Sequence, residues 1–185
     1  MLLSSSSLTK SQELMKQVNT DDVKNALEML GVNIFKYDFS HVENDCQLKM
    51  YYEEFAGDSV ISQKVWNFYN WEKDEQPKTL KIIASTANKD GKYEIRTIHP
   101  NATRTYTFDI IEKYREPHYW KTIKQEYLVY NKKTPLVFYG MSWEEELRGK
   151  KVRRFCWRTE ITREMDNKQL EKVEHMILIS YQLNK

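Results

Sequence analysis

Two periodicities divide the chain. Over residues 11–30 apolar side chains return every three or four positions: Leu14, Met15 and Val18, then Val23, Leu27 and Leu30. That spacing puts them on one face of a helix. Thr20 suits an N-cap, and Asp21 and Asp22 fall in the first turn, where the helix dipole favours anions. Gly31 suits the residue just past the last turn. The pattern predicts a helix over 11–30, interrupted near Asn19–Thr20. It follows a serine-rich N-terminus, residues 1–10, with the composition of a disordered end.

Beyond Gly31 the period falls to two. Phe35, Tyr37 and Phe39 alternate with Lys36 and Asp38; Cys46, Leu48, Met50 and Tyr52 alternate with Gln47, Lys49 and Glu53. Val60 to Trp71 reads as one long strand, then Leu80, Ile82 and Ala84 as another. Asn88-Lys89-Asp90-Gly91 is a hairpin turn with glycine for a positive φ, answered by Tyr93 and Ile95. Tyr106, Phe108 and Ile110 follow, then His118 to Tyr130, Leu136 to Trp143 and the stretch around Phe155, Trp157 and Ile161. His175, Ile177, Ile179, Tyr181 and Leu183 make the longest same-parity run.

The pattern predicts a mainly β fold: an antiparallel meander of about nine or ten long strands. Sheets of that size curl or split. The short connections favour a barrel or strongly curled sheet, with the N-terminal helix packed on it or plugging it. A two-sheet sandwich is the alternative. Three strands, Val60–Trp71, His118–Tyr130 and Leu136–Trp143, are apolar on both faces or mixed in parity. Their outer side therefore needs a cover, either the helix or a partner chain.

The 185 residues suit a single domain over 11–185, large enough to bury a core unaided. A net charge of +2 gives no strong field and excludes the basic face of a nucleic-acid binder. No apolar run approaches the ~20 residues of a transmembrane helix. The chain as it stands is expected in the cytoplasm; a removed signal segment would place it outside the cell or in the envelope. Cys46 and Cys156 are too few for a disulfide framework and show no metal spacing. Neither cofactor nor metal is implied, since the four histidines are scattered. The basic cluster Arg148, Lys150, Lys151, Arg153 and Arg154 reads as a solvated turn, partly neutralised by Glu144–Glu146.

Nucleophile elbows, phosphate-binding glycine loops, dinucleotide fingerprints and His-Glu-x-x-His are all missing from the sequence. The architecture therefore leads to a non-enzymatic binding protein that holds a small apolar or amphipathic ligand in a barrel-like cavity. Its candidate lining is Trp66, Trp120, Trp157, Arg158, His175 and Tyr181. Two alternatives stand beside it. One is a protein-interaction or envelope-associated β-sandwich module that meets a partner, or a second copy, through an aromatic sheet face. The other is an enzyme, which requires a polar cluster around His175 or Glu160 in a cleft.

Overall fold

The protein is described here by a computed structural model. It covers residues 19–44, 46–70, 78–100, 102–125, 127–155, 161–163 and 170–185, excepting the side chains of residues 66–69. Residues 1–18, which carry the disorder expected for 1–10 and the first part of the expected helix, lie outside the described residues, as do Trp71, Cys156, Trp157, Arg158 and Glu160.

Helix α1 spans Thr20–Met29. Its N-cap is Asn19 rather than Thr20. The Asn19 side chain accepts from the Asp22 backbone N–H at 3.0 Å, and the Asp22 carboxylate accepts from the Asn19 N–H at 2.9 Å. This reciprocal box satisfies two donors that a helix start leaves open. Gly31, at φ +77°, ends the helix.

Eleven strands follow among the described residues: β1 (Val32–Asp38), β2 (Gln47–Ala56), β3 (Ser59–Asn70), β4 (Thr79–Ser85), β5 (Lys92–His99), β6 (Ala102–Asp109), β7 (His118–Thr122), β8 (Thr134–Met141), β9 (Trp143–Leu147), β10 (Lys150–Arg154) and β11 (His175–Asn184). All strand pairings are antiparallel. One sheet has the order β1-β4-β5-β6 and the other β3-β2-β11-β8-β7, while β9 and β10 form a separate hairpin.

The expected barrel and the expected meander are both corrected by this partition. Strand β1 pairs with β4, and β11 inserts between β2 and β8, because the chain crosses between the sheets instead of running from each strand to its neighbour. Among the described residues no closed barrel forms, and the sheets are not strongly curled. Instead two sheets face each other. Tyr52 of β2 meets Tyr93 of β5, hydroxyl to hydroxyl, at 3.0 Å, and the Tyr52 ring stacks on Phe108 of β6 at 4.5 Å. Tyr93 also lies 5.3 Å from Tyr139 of β8. Leu48, Met50, Leu80, Ile82, Ile95, Ile177 and Ile179 fill the space between with little or no exposure. The interior is a packed core, stabilised by apolar burial at about 25 cal/mol per Å².

The helix expectation is corrected as well. No residue of α1 is fully buried, so the described helix plugs neither sheet; it only touches β1, with Leu27 half-buried. Met29 is 89% exposed. The predicted cover is found for β7 and β8, from elsewhere in the chain, but not for β3, whose Val60, Ile61 and Val65 are exposed. Tyr139 and Trp120 point into the core, so their neighbours Phe138 and Tyr119 point outward. Phe155, just after β10, packs on both, with ring centroids 5.9 Å from Phe138 and 5.0 Å from Tyr119.

Two segments differ in type from the sequence expectation. The predicted strand His118–Tyr130 stops at Thr122. The charged connection 144–150 is hairpin β9–β10, whose turn residues Arg148 and Gly149 have φ of 53° and 73°. Cross-strand ion pairs Lys151–Glu144, Arg153–Glu144 and Arg154–Glu145, at 3.6, 3.7 and 3.5 Å, account for its basic cluster.

Candidate functional site

The two sheets have edge strands β1 and β7 on the same side, and there they do not close on each other completely. Tyr37 of β1 bridges the gap at one end: its hydroxyl donates to the Leu136 carbonyl at 3.0 Å and lies 3.4 Å from the Thr122 hydroxyl. Toward the β4–β5 turn the edges separate into a cleft of about 1070 Å³. Ligand sites typically enclose roughly 300–1,000 Å³. Phe35, Trp120 and Tyr139 line it, the end of α1 contributes Met29 and the C-cap Leu30 beyond it, and the polar margin includes Lys89 and Arg115.

The floor is aromatic because of strand alternation. Phe35 sits at an inward position of β1, opposite Ile82, and Trp120 at an inward position of β7, opposite Tyr139. The Trp120 and Tyr139 rings stack at 4.1 Å, and Phe35 tilts against Trp120 at 6.4 Å. The polar atoms of the floor are already engaged. The Trp120 indole N–H donates to the Ser85 carbonyl at 2.8 Å, and the Tyr139 hydroxyl accepts from the Ala87 N–H at 2.8 Å. Tyr139 is fully buried and Trp120 nearly so, which leaves the half-buried Phe35 as the most open ring of the three.

His118 forms part of the cleft wall and begins a buried chain of hydrogen bonds. Its Nδ1 lies 2.7 Å from the Glu116 carbonyl. A carbonyl only accepts, so Nδ1 carries the hydrogen and, in the neutral ring, Nε2 accepts. The Nδ1 of His175 donates to that Nε2 at 2.9 Å. His175 Nε2 then faces Oε1 of Glu54 at 3.0 Å, and one proton is held between imidazole and carboxyl. The Tyr52 hydroxyl donates to the second Glu54 oxygen at 3.2 Å and accepts from Tyr93. Tyr114 stacks on the His175 ring at 4.6 Å.

Burial pushes His118 down to about 4, helped by the neighbouring His175 and opposed by the Glu116 carbonyl and Glu54. Burial likewise raises the hydroxyls of Tyr52, Tyr93 and Tyr139 above the ordinary phenol range. His118, His175 and Glu54 are bonded to one another in series rather than converging on one point. Among the described residues no group of three or more such side chains is placed to hold a metal. Both nitrogens of His118 are occupied, so neither is available as a base toward the cleft.

Of the six residues read as ligand-lining from sequence, Trp120 is in the cleft floor. His175 is fully buried behind His118. Tyr181 borders a smaller groove with Tyr37 and Tyr130, away from Trp120. Trp66 belongs to β3, with its side chain outside the description, and Trp157 and Arg158 lie outside the described residues. Sequence reading missed Phe35, His118, Tyr139 and Arg115 as site residues. Phe35 and Tyr139 carried only a core-strand signal. Arg115 stands beside Glu116-Pro117, a turn signal that could have marked the cleft margin.

Among exposed large hydrophobics of the described residues, Tyr127 is the single aromatic; the others are aliphatic or Met, on α1, β1, β3 and elsewhere. No described helix is long and apolar enough to cross a membrane. Cys46 is buried and free. No curated protein and no solved structure matches the chain. A family model does match, over residues 2–185, and the chain belongs to that family, described as a domain of unknown function, DUF5041.

Proposed function

We propose that the protein is a binding protein whose ligand, a small amphipathic molecule, sits in the cleft between β1, β7 and the end of α1. The observation that carries this reading is a ligand-sized cleft that joins a stacked aromatic floor to a charged margin. The filled core between the sheets leaves no room for a ligand inside, so the site is at the sheet edges and not in a barrel interior. Met29, Leu30 and Ile34 are exposed apolar side chains at or beside the cleft mouth. Covering them and the half-buried Phe35 supplies the favourable apolar area.

The buried Glu54–His175–His118 cluster is the feature an enzyme reading would use. It directs no unoccupied nitrogen at the cleft, and that favours binding over catalysis. The one exposed aromatic among the described side chains, Tyr127, lies in the loop between β7 and β8 and not on the exposed sheet face that an interaction module would use.

Nile red, a neutral polarity-sensitive dye, tests the cleft directly. Titration of the full chain is expected to give saturable fluorescence enhancement at one site. Leu30→Gln with Ile34→Gln is expected to weaken it severalfold without lowering the melting temperature, because both side chains are exposed. Enhancement equal in the wild type and the double variant would place the dye elsewhere and sink this reading.

A further inference from the structure

The charges around the cleft are not balanced, and the imbalance has a definite place. Its acidic lining residues are Glu28 and Glu116. Glu28 is paired with Lys24 at 3.8 Å, one turn along α1. Glu116 is paired with Arg153 of β10 at 3.0 Å. Both carboxylates therefore already have a cation. Two cationic residues of the lining, Arg115 and Lys89, make neither a side-chain hydrogen bond nor an ion pair among the described residues.

Both stand at the same end of the cleft. Lys89 is in the β4–β5 turn. Arg115 lies across that turn: a Cβ on Gly91 would come 3.0 Å from its Nε and 3.6 Å from its Cδ. Gly91, at φ +81°, thus serves the turn and also leaves the surface on which the arginine rests. The turn is itself fixed, since the Asn88 side chain accepts from the N–H groups of Asp90 and Lys92 at 3.0 and 2.9 Å. The floor adds no competing polar handle, because the polar atoms of Trp120 and Tyr139 and both nitrogens of His118 are engaged.

We infer that the ligand carries an acidic head group, a carboxylate or phosphate, held by Arg115 and Lys89, with an apolar chain lying over Phe35 and Trp120. The inference rests on the cleft being the ligand site. Arg115 presents the planar fork that matches either oxyanion, and Lys89 adds a second charge. The exposed aliphatic side chains of Met29 and Leu30 flank the path of the chain.

Calorimetric titration of the full-length protein with decanoate, decyl phosphate and decan-1-ol, each below its aggregation concentration, tests both levels. At least one anion is expected to bind about tenfold or more tighter than the alcohol, the scale of one charged hydrogen bond. Whichever anion binds tighter identifies the head group as carboxylate or phosphate. Arg115→Gln is expected to remove that advantage and leave decan-1-ol binding unchanged. Lys89→Gln, on an exposed turn, gives the same reading in part and guards against a folding defect in the first variant. Decan-1-ol bound as tightly as both anions, or an anion advantage that survives both substitutions, overturns the acidic head group while leaving the cleft as a ligand site. Binding of none of the three overturns both.

Discussion

His118 shows how a single buried side chain becomes a dependence on pH. In the fold its proton affinity is low, about 4, against an ordinary value of 6.5. The unfolded chain therefore binds a proton first as the solution is acidified. The stability that comes from holding His118 neutral is fully present above pH 6.5 and is lost as pH falls toward 4. The shift is worth about 3 kcal/mol for a group this buried. Urea denaturation at pH 7.5, 5.5 and 4.5 is expected to show stability falling across that window. His118→Gln, which has no titrating ring, is expected to flatten the fall; equal slopes in both proteins would remove His118 as its cause. The periodicity of the last strand placed His175 on the inward face, and the structure has it there. Its partners were not legible, because His118 and Glu54 stand 57 and 121 residues away. No local pattern encodes a hydrogen bond across that separation.

At the scale of elements, the agreement between sequence and structure depends on how each strand is buried. β4 and β5 have one face against the core, and β2 for most of its length, so their hydrophobic period is two and their bounds are close to expectation; β11 keeps that period in its inward residues although its middle is buried on both faces. β8 is buried on nearly every residue, and its sequence shows apolar side chains on both faces for that reason. The cover is aromatic and local. Phe138 folds over its neighbour Gly140, so that any Cβ added at Gly140 would overlap the ring, and Phe155 stacks on the other side. Gly140→Ala is expected to destabilise the protein by about 1–3 kcal/mol through overpacking, measured by thermal or urea denaturation. A loss below about 0.5 kcal/mol would mean that the Phe138 ring moves aside freely. Hairpin β9–β10 was illegible as strands because neither of its faces is buried. With charge on both sides its alternation vanishes, and only Gly149 remained as a turn signal.

For the whole molecule, the arrangement of strands sets where stability resides. β11 is hydrogen-bonded on both sides, to β2 and β8, and closes the five-stranded sheet with the last residues of the chain. β3 is an edge strand, and no residue of α1 is fully buried. Amide hydrogen exchange is expected to be slowest in β11 and β8 and fastest in α1, with β3 between them. Protection of α1 equal to that of β11 would show that the helix is held by contacts other than those described.

The sequence by itself determined the β-rich class, the antiparallel sense of the strands, the Asn88–Gly91 turn, the helix at 20–29 and the inward face of most strands. Each of these follows from side-chain period or turn chemistry within a few residues. The meander order it suggested is broken where β1 pairs with β4 and β11 with β2 and β8. The division into two sheets, the insertion of β11 between β2 and β8, the exposed position of α1, the buried Glu54–His175–His118 chain and the cleft were decided only in the tertiary structure. The physical reason is that an alternating strand specifies which face it buries but carries no label for the sheet it joins. That choice is made by the mutual fit of large side chains far apart in the sequence. Tyr52, Tyr93, Trp120 and Tyr139 fill the space between the sheets, and where the edges β1 and β7 separate, Trp120 and Tyr139 form the base of the cleft beneath the half-buried Phe35.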